Sequence, residues 1–436
     1  MRIGIDGYNL AMPNGTGVAT YGLMLAQTLR SMGHQVEGVY GLDVTGPADQ
    51  RETLFYDQLA RPRPWRGRRK GLRRTLSTLG VAPGLRAIPV PTGTVDTRAL
   101  GSRATAFDAL WSSPYLFERA HAYFRATGRF ARLRMRNPPD IMHWTYPVPV
   151  FLDGACNVYT LHDLVPLRLP FATLDEKRHY HALVAACVAR ADAVCTVSET
   201  SRCDIIELLA TDPGKVINTY QISQIDKDIL EEPTEESARK IEVTFGLPRD
   251  GYFLYFGAIE PKKNVGRLIE AYLSLGTDTP LIIVAGRAWQ SEAELVLLPR
   301  SDDKASPRHA HLERRIIQID YLPRHMLMRL VRGARALAFP SLCEGFGLPV
   351  HEAMLLGTPV LSSATGAVKE VAGEAALLVD PYDVAALTAA LQRLDQDETL
   401  RRDLARRGAL QAASFSSDRY AQALDNLYRR AQDKDA

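Results

Sequence analysis

The sequence predicts an α/β protein built from two successive doubly wound units, each a parallel sheet with helices on its faces. Three observations carry that expectation. Short apolar runs bounded by turn residues recur along the chain, the pattern of strands buried on both faces. Amphipathic stretches separate them, giving the strand–loop–helix–strand rhythm of parallel sheets. The rhythm is interrupted near 222–250, where a charged segment carries Pro233 and Pro248, and 436 residues is a natural length for two units.

In order, residues 2–6 read as a strand, 14–17 as a glycine-rich loop, 18–32 as a helix ended by Gly33, and 35–40 as the next strand. Residues 41–139 are rich in Pro, Gly and Arg with little periodicity. One or two helices are expected there, over 104–135, and a mobile loop around 60–100. Strands follow at 141–143, 157–161, 193–197 and 215–218, with helices at 175–190 and 199–210. The second unit reads as strands 252–256, 281–285, 316–319, 336–339, 359–362 and 376–379. Its helices are 264–275, 323–332, 349–356 and 367–372, and three more close the chain at 383–394, 397–411 and 416–432. The first unit is therefore expected over 1–225 and the second over 245–415, with the closing helix, within 416–436, packing back on the first. A ligand in such a fold belongs at the carboxyl ends of the strands, in the cleft between units.

Composition narrows the class. Hydrophobic residues make up 46% and charged residues 24%, as in a soluble enzyme whose core needs no disulfide or metal staple. The five cysteines are odd in number, form no CxxC pair and lie in or beside apolar segments. They read as buried reduced thiols. The opening MRIGID reads as a strand rather than a leader, and no run approaches the roughly 18 apolar residues of a membrane span. A cytoplasmic protein is expected, at most peripheral at a membrane. The net charge of +3 is uneven: residues 1–230 hold 27 Lys+Arg against 21 Asp+Glu. Basic stretches lie at 51–74 and from Arg125 through Arg129, Arg132 and Arg134 to Arg136, suited to phosphates or acidic headgroups, or simply solvated.

The sharpest chemical signal is the run from Ser341 to Met354. Glu344 follows a strand in a loop with Gly345 and Gly347; Glu352 lies eight positions on, in a helix with Pro349 near its start. Glycines let backbone N–H groups approach a ligand, and a helix N-terminus favours a diphosphate. Two carboxylates so placed can accept bonds from sugar and ribose hydroxyls. A second signal is Phe256–Asn264, where Lys262 and Lys263 stand between a strand and a helix start. A third is His162-Asp163 at the end of another strand. A fourth is Gly15-Thr16-Gly17, weak alone. His143, Trp144 and Tyr146 follow a strand and read as acceptor-side residues or plain packing. Asp-x-Asp pairs at 226–228, 395–397 and 433–435 lie away from strand ends, so no catalytic metal and no cofactor are expected. With no P-loop and no GxGxxG, a nucleoside triphosphatase or dehydrogenase is disfavoured.

The Glu344–Glu352 run resembles the E-x7-E motif of GT4-type retaining glycosyltransferases, which have the GT-B fold. Its flanks, Ala338–Ser341, Leu356–Val360, Gly366–Glu370 and Asp380-Pro381, agree. The resemblance covers nearly the whole chain outside 41–139. It implies a nucleotide-sugar donor whose sugar hydroxyls meet Glu344, whose ribose meets Glu352, and whose sugar meets loop amides from Gly345 through Phe346 to Gly347, with Leu348 beside them. It implies that Lys263 grips the diphosphate with Gly257 beside it, that His162 faces the donor sugar, that Asp163 orients, and that Gly17 closes over the phosphate. Many relatives carry an arginine directly after the glycine, where this chain has Ala258; Lys262 or Arg287 is expected to supply that charge. The neighbourhoods of Asp163–Leu167 and Gly257–Asn264 are similar to those of bacterial mannosyltransferases of surface polysaccharide assembly. GDP-mannose is thus the expected donor, with UDP-glucose or UDP-N-acetylglucosamine as the alternative. The expected acceptor is a glycan or lipid-linked saccharide, with peripheral contact to anionic membrane through 51–74 and no nucleic acid. A nucleotide-sugar epimerase or a non-catalytic sugar or nucleic-acid binder are the readings from other classes.

Overall fold

The computed structural model describes residues 1–12, 17–61, 80–96, 106–286, 291–298 and 315–433. Among the described residues, eleven strands form the N-terminal half. They are Arg2–Asp6 (β1), Gln35–Tyr40 (β2), Leu85–Arg86 (β3), Ile88–Val90 (β4), Ala109–Ser112 (β5), Ala131–Arg134 (β6), Ile141–Trp144 (β7), Val150–Leu152 (β8), Cys156–Thr160 (β9), Ala193–Thr196 (β10) and Val216–Asn218 (β11). Eight of these make one sheet, ordered β11-β10-β9-β7-β1-β2-β5-β4. Its strands run parallel except for β4, which pairs antiparallel with β5 at the edge. A small parallel sheet, β3-β6-β8, lies apart.

The C-terminal half is one parallel sheet of Phe253–Phe256 (β12), Leu281–Val284 (β13), Ile316–Ile319 (β14), Ala336–Phe339 (β15), Val360–Ser363 (β16) and Leu377–Val379 (β17). Its order is β14-β13-β12-β15-β16-β17. The central strands β12, β13, β15 and β16 are buried at every residue, because helices cover both faces. Chain order reverses between β12 and β15, and in the first sheet between β1 and β7. At such reversals the loops leaving adjacent strands diverge and open a crevice at their carboxyl ends.

Helices start where side chains supply acceptors. Ser198, Asp383, Asp397 and Ser416 each accept a bond from the backbone N–H three residues on. The last helix, Ser417–Gln432, crosses back to the N-terminal half and packs on β9, β10 and the helix Gly17–Ser31. Tyr420, Leu424, Leu427 and Tyr428 are its buried face.

The region 41–139 departs from the sequence reading. It holds a helix at Arg51–Ala60, and the stretch expected as helical over 104–135 is β5, the helix Leu116–Thr127 and β6. In β6 Ala131 and Leu133 point inward while Arg132 and Arg134 point out, a period of two too brief to stand out in a run of arginines. Within the expected mobile loop, 80–96 contains β3 and β4; residues 62–79 and 97–105, with most of the 51–74 basic stretch, lie outside the described residues. The thiols also differ from expectation: all five are free, but only Cys187 and Cys195 are buried, and Cys203 is exposed. No helix among the described residues is long and apolar enough to cross a membrane.

Candidate functional site

Two strand-end loops of the C-terminal half are tied together first. After β12, Gly257 adopts φ 137°, a region closed to most side chains, and its N–H bonds the Val284 carbonyl. The chain then makes a single turn over Pro261–Lys263 and reaches Asn264 at φ 60°. Asn264 is buried, and its Nδ2 donates to the Pro340 carbonyl at 3.0 Å and the Pro381 carbonyl at 2.7 Å. One amide thus fastens the loop after β12 to the loops after β15 and β17. The Leu342 N–H and the Ser341 hydroxyl both donate to the Lys262 carbonyl, at 2.7 and 3.0 Å.

This pinning brings Lys263 to Glu344. Lys263 Nζ lies 2.6 Å from Glu344 Oε1, which also accepts from Ser341 Oγ at 2.6 Å. Both side chains are nearly buried, and the ammonium lies 5.1 Å from the centre of the Phe339 ring. Burial disfavours the Glu344 carboxylate, but Lys263 and Lys262 outweigh it and hold its pKa below the ordinary value. Burial likewise opposes charge on Lys262, yet Asp163, Glu344 and Glu260 around it hold its pKa above that of a free lysine.

The two halves meet at Gly345. A Cβ there would lie 2.6 Å from the His162 carbonyl oxygen, so backbone touches backbone across the cleft. Ser201 bridges the contact, its hydroxyl 2.9 Å from the His162 carbonyl and 3.4 Å from that of Gly345. A second bridge is Glu370, which accepts from the Glu199 and Thr200 N–H groups at 2.8 and 3.0 Å. A carboxylate of the C-terminal half therefore caps the helix Glu199–Leu208 of the other.

His162 is half-buried and edge-on to Tyr21, with ring centres 4.7 Å apart. Its Nε2 lies 2.9 Å from the Thr145 carbonyl, which requires the proton on Nε2 and leaves Nδ1 as the basic nitrogen. Burial lowers its pKa, so the ring is neutral at pH 7. Beside it opens a cavity of about 400 Å³, lined by His162, Asp163, Tyr146 and Tyr180 from the N-terminal half and by Glu260 and Lys262 from the C-terminal half.

The remaining sequence-predicted residues divide. His143 and Trp144, expected on the acceptor side, do not reach the cleft: both are fully buried. His143 bridges Tyr428 Oη at 2.8 Å and Thr160 Oγ1 at 2.7 Å, and burial pushes its pKa down to about 3. Trp144 donates to Asn157 Oδ1 at 3.0 Å. Both faces of β7 are covered, so these side chains are packing. Phe346 also turns inward, against His351 and Phe415, while Leu348 is partly buried against the core. Gly347, at φ 99°, precedes the helix Leu348–Leu355, and a Cβ there would meet Val368 at 2.7 Å. Glu352, nearly buried on that helix, pairs with Arg324 Nη2 at 2.6 Å; burial raises its pKa against that pairing. Arg324 was not singled out by the sequence, although its place in the first turn of the helix after β14 was visible. Gly17 begins its helix, exposed and with open space where a Cβ would stand. Arg287 and residues 13–16 lie outside the described residues. Of the Asp-x-Asp pairs, Asp395 is held by Arg335, Thr277 and Thr279, and Asp397 caps a helix. Among the described residues no group of three or more His, Cys, Asp or Glu side chains is placed to hold a metal ion.

Two facing Rossmann-like sheets, with a lysine–carboxylate pair at the reversal of one and a histidine at a strand end of the other, define a glycosyltransferase of the GT-B class. Residues 239–411 match the family described as glycosyl transferases group 1. The chain is 31% identical over 277 residues to the O-antigen chain mannosyltransferase B of Escherichia coli, covering 62% of this chain and 70% of that protein. The chain belongs to this GT4-type glycosyltransferase family, and the relatives it resembles include O-antigen mannosyltransferases. It is also 25% identical over 331 residues to the serotype-specific mannosyltransferase WbdA of Escherichia coli, covering 71% of this chain but only 39% of that larger protein. The fold is shared with Anabaena Alr3699/HepE, solved in complex with UDP-glucose, at a TM-score of 0.63, 16% identity, and coverage of 98% of this chain and 99% of that one.

Proposed function

We propose that this chain transfers mannose from GDP-mannose, with retention of anomeric configuration, onto a glycan or lipid-linked saccharide during surface polysaccharide assembly. The observation that carries the reading is the buried Lys263–Glu344 pair at the carboxyl ends of β12 and β15, across the Gly345 contact from His162. Residues 1–225 with the closing helix act as the acceptor half, and 245–415 as the donor half. The mannosyltransferase relatives favour mannose. The UDP-glucose complex of a protein of the same fold keeps a uridine donor as the second reading.

The donor diphosphate sits where Lys263, the N–H groups of Gly345 to Gly347 and the start of the helix Leu348–Leu355 converge. As the sugar–phosphate bond breaks, negative charge grows on the leaving oxygen and positive charge on the anomeric carbon. Preorganised donors meet the first, each contributing about 3–4 kcal/mol. Glu344 then accepts from sugar hydroxyls while Lys263 turns to the phosphate. Glu352 exchanges Arg324 for the ribose, and Arg324 is free to supply the charge missing at Ala258. The acceptor hydroxyl attacks on the face the diphosphate leaves, and the leaving phosphate takes its proton, so no protein nucleophile is needed. Neutral His162 lines that face. The reaction proceeds at the cytoplasmic side of the inner membrane.

A melting-temperature screen against GDP-, UDP-, ADP- and TDP-sugars tests the donor, because a ligand of the native state stabilises by mass action. GDP-mannose should give the largest shift. A flat response to all four, or product formed from the donor without any acceptor as an epimerase would give, sinks the reading.

A further inference from the structure

We infer that the cavity beside His162 is built for a neutral sugar residue and discriminates against a phosphorylated one. The inference rests on the transferase reading and names the acceptor chemistry of that site. Among the described residues lining the cavity, Asp163, Asp175 and Glu260 are acidic and Lys262 is the single cation. With His162 neutral, the formal charge there is −2.

Lys262 does not stand ready for an incoming anion. Its Nζ lies 4.0 Å from Glu260, and Asp163 and Glu344 add to the negative field around it. A phosphate placed in the cavity would face more carboxylates than ammonium groups. The carboxylates instead offer acceptors to paired sugar hydroxyls, and a hydroxyl can donate to one while accepting from Lys262. Tyr146 and Tyr180 supply flat ring surfaces for the C–H face of a pyranose. Tyr180 is held in place by its own hydroxyl, which donates to the Asp163 carbonyl at 3.2 Å. Leu174, 70% exposed, continues the apolar surface at the rim. Anion binding and hydroxyl binding are thus separated: Lys263 faces the donor side, and the acidic cavity takes the acceptor.

The test titrates the whole protein with methyl α-D-mannopyranoside and with mannose 6-phosphate at low ionic strength, following binding by ligand-observed NMR. The neutral sugar should bind at least ~10-fold more tightly, and the difference should shrink as salt is raised, as screening of a repulsive field requires. Asp175 is exposed, so Asp175→Lys leaves folding intact; it should narrow the difference below about threefold. Equal or tighter binding of mannose 6-phosphate overturns the inference, as does failure of both sugars to bind. The donor melting screen separates the two readings. A chain stabilised by a nucleotide sugar that nevertheless prefers mannose 6-phosphate loses only this inference. One that binds the neutral sugar without any donor shift keeps its sugar cavity and loses the transferase reading.

Discussion

Replacing Gly345 by alanine should damage turnover far more than stability. Gly345 is not among the glycines with left-handed backbone, so alanine meets no conformational penalty of its own. The obstruction is steric and lies in the other half of the molecule. The new Cβ would stand 2.6 Å from the His162 carbonyl oxygen and 3.1 Å from its carbonyl carbon. Ordinary contact begins near 3.4 Å, so the two backbones must part by about 0.8 Å. No side chain can swing away to relieve this, because both sides of the clash are main chain. The cheapest relief is a slight opening of the cleft, which carries His162 away from Glu344 and Lys263. Misplacement on the order of 1 Å can cost about 10²-fold in rate. Overpacking that is relieved at an interface should stay at the low end of ~1–3 kcal/mol. The assay is nucleoside diphosphate release with saturating donor and acceptor, beside a thermal melt. Gly276→Ala, where a Cβ would meet nothing within 4 Å, is the control. A Gly345→Ala protein that keeps kcat within about threefold would refute the close-contact reasoning.

Other perturbations follow from the same contacts. Lys263→Ala and Glu344→Ala should each lower turnover at least ~10-fold with the fold intact by circular dichroism. Lys263→Ala should also destabilise more than Glu344→Gln, since it strands a buried carboxylate, a loss of about 3–5 kcal/mol in comparable pairs. Glu370→Ala removes the acceptor from the start of the helix Glu199–Leu208, worth about 1 kcal/mol, and small-angle scattering should report a larger radius of gyration. Glu232 bonds Arg329 and Lys240, and these, Arg329 first, pull its pKa down to about 2 against burial. A depressed carboxyl pKa gives stability that is complete above its unfolded value and is lost as pH falls toward the folded one. Chemical denaturation should therefore show a decline between about pH 4.5 and pH 2 that Glu232→Gln flattens.

The parts of this fold legible in the sequence are those governed by neighbours along the chain. Strands such as Leu281–Val284 announce themselves because a parallel strand covered on both faces must be apolar throughout. Glu344 and Lys263 were legible because Glu344 adjoins Gly345 and Lys263 follows Pro261 by two positions, each in a loop leaving a strand. What escaped was set by distant partners. His143 and Trp144 end an apolar strand just as His162 follows one. The difference is long-range cover: the closing helix reaches His143 with Tyr428, and Asn157 and Tyr159 of β9 hold Trp144 on the other face, neither of which can be inferred from local pattern. Asn264 lay within a recognised motif, but its two bonds reach residues 76 and 117 positions away. Arg324 carried no local signal, because its partner Glu352 lies 28 positions away. The β3-β6-β8 sheet escaped because β3 and β8 have only two and three residues and β6 alternates two apolar residues with two arginines instead of being apolar throughout.

The return of the closing helix also imposes an order on biosynthesis. Tyr428 completes a site around His143 that was translated 285 positions earlier. At ~5–20 residues per second, the ribosome leaves that imidazole and the apolar flank of β9 and β10 uncovered for roughly 15–60 s. Until then the first half is a nascent chain with an open wound, a natural client for a chaperone. A message truncated before the codons for 417–432 would yield a protein whose C-terminal sheet is complete and whose N-terminal half is left uncovered.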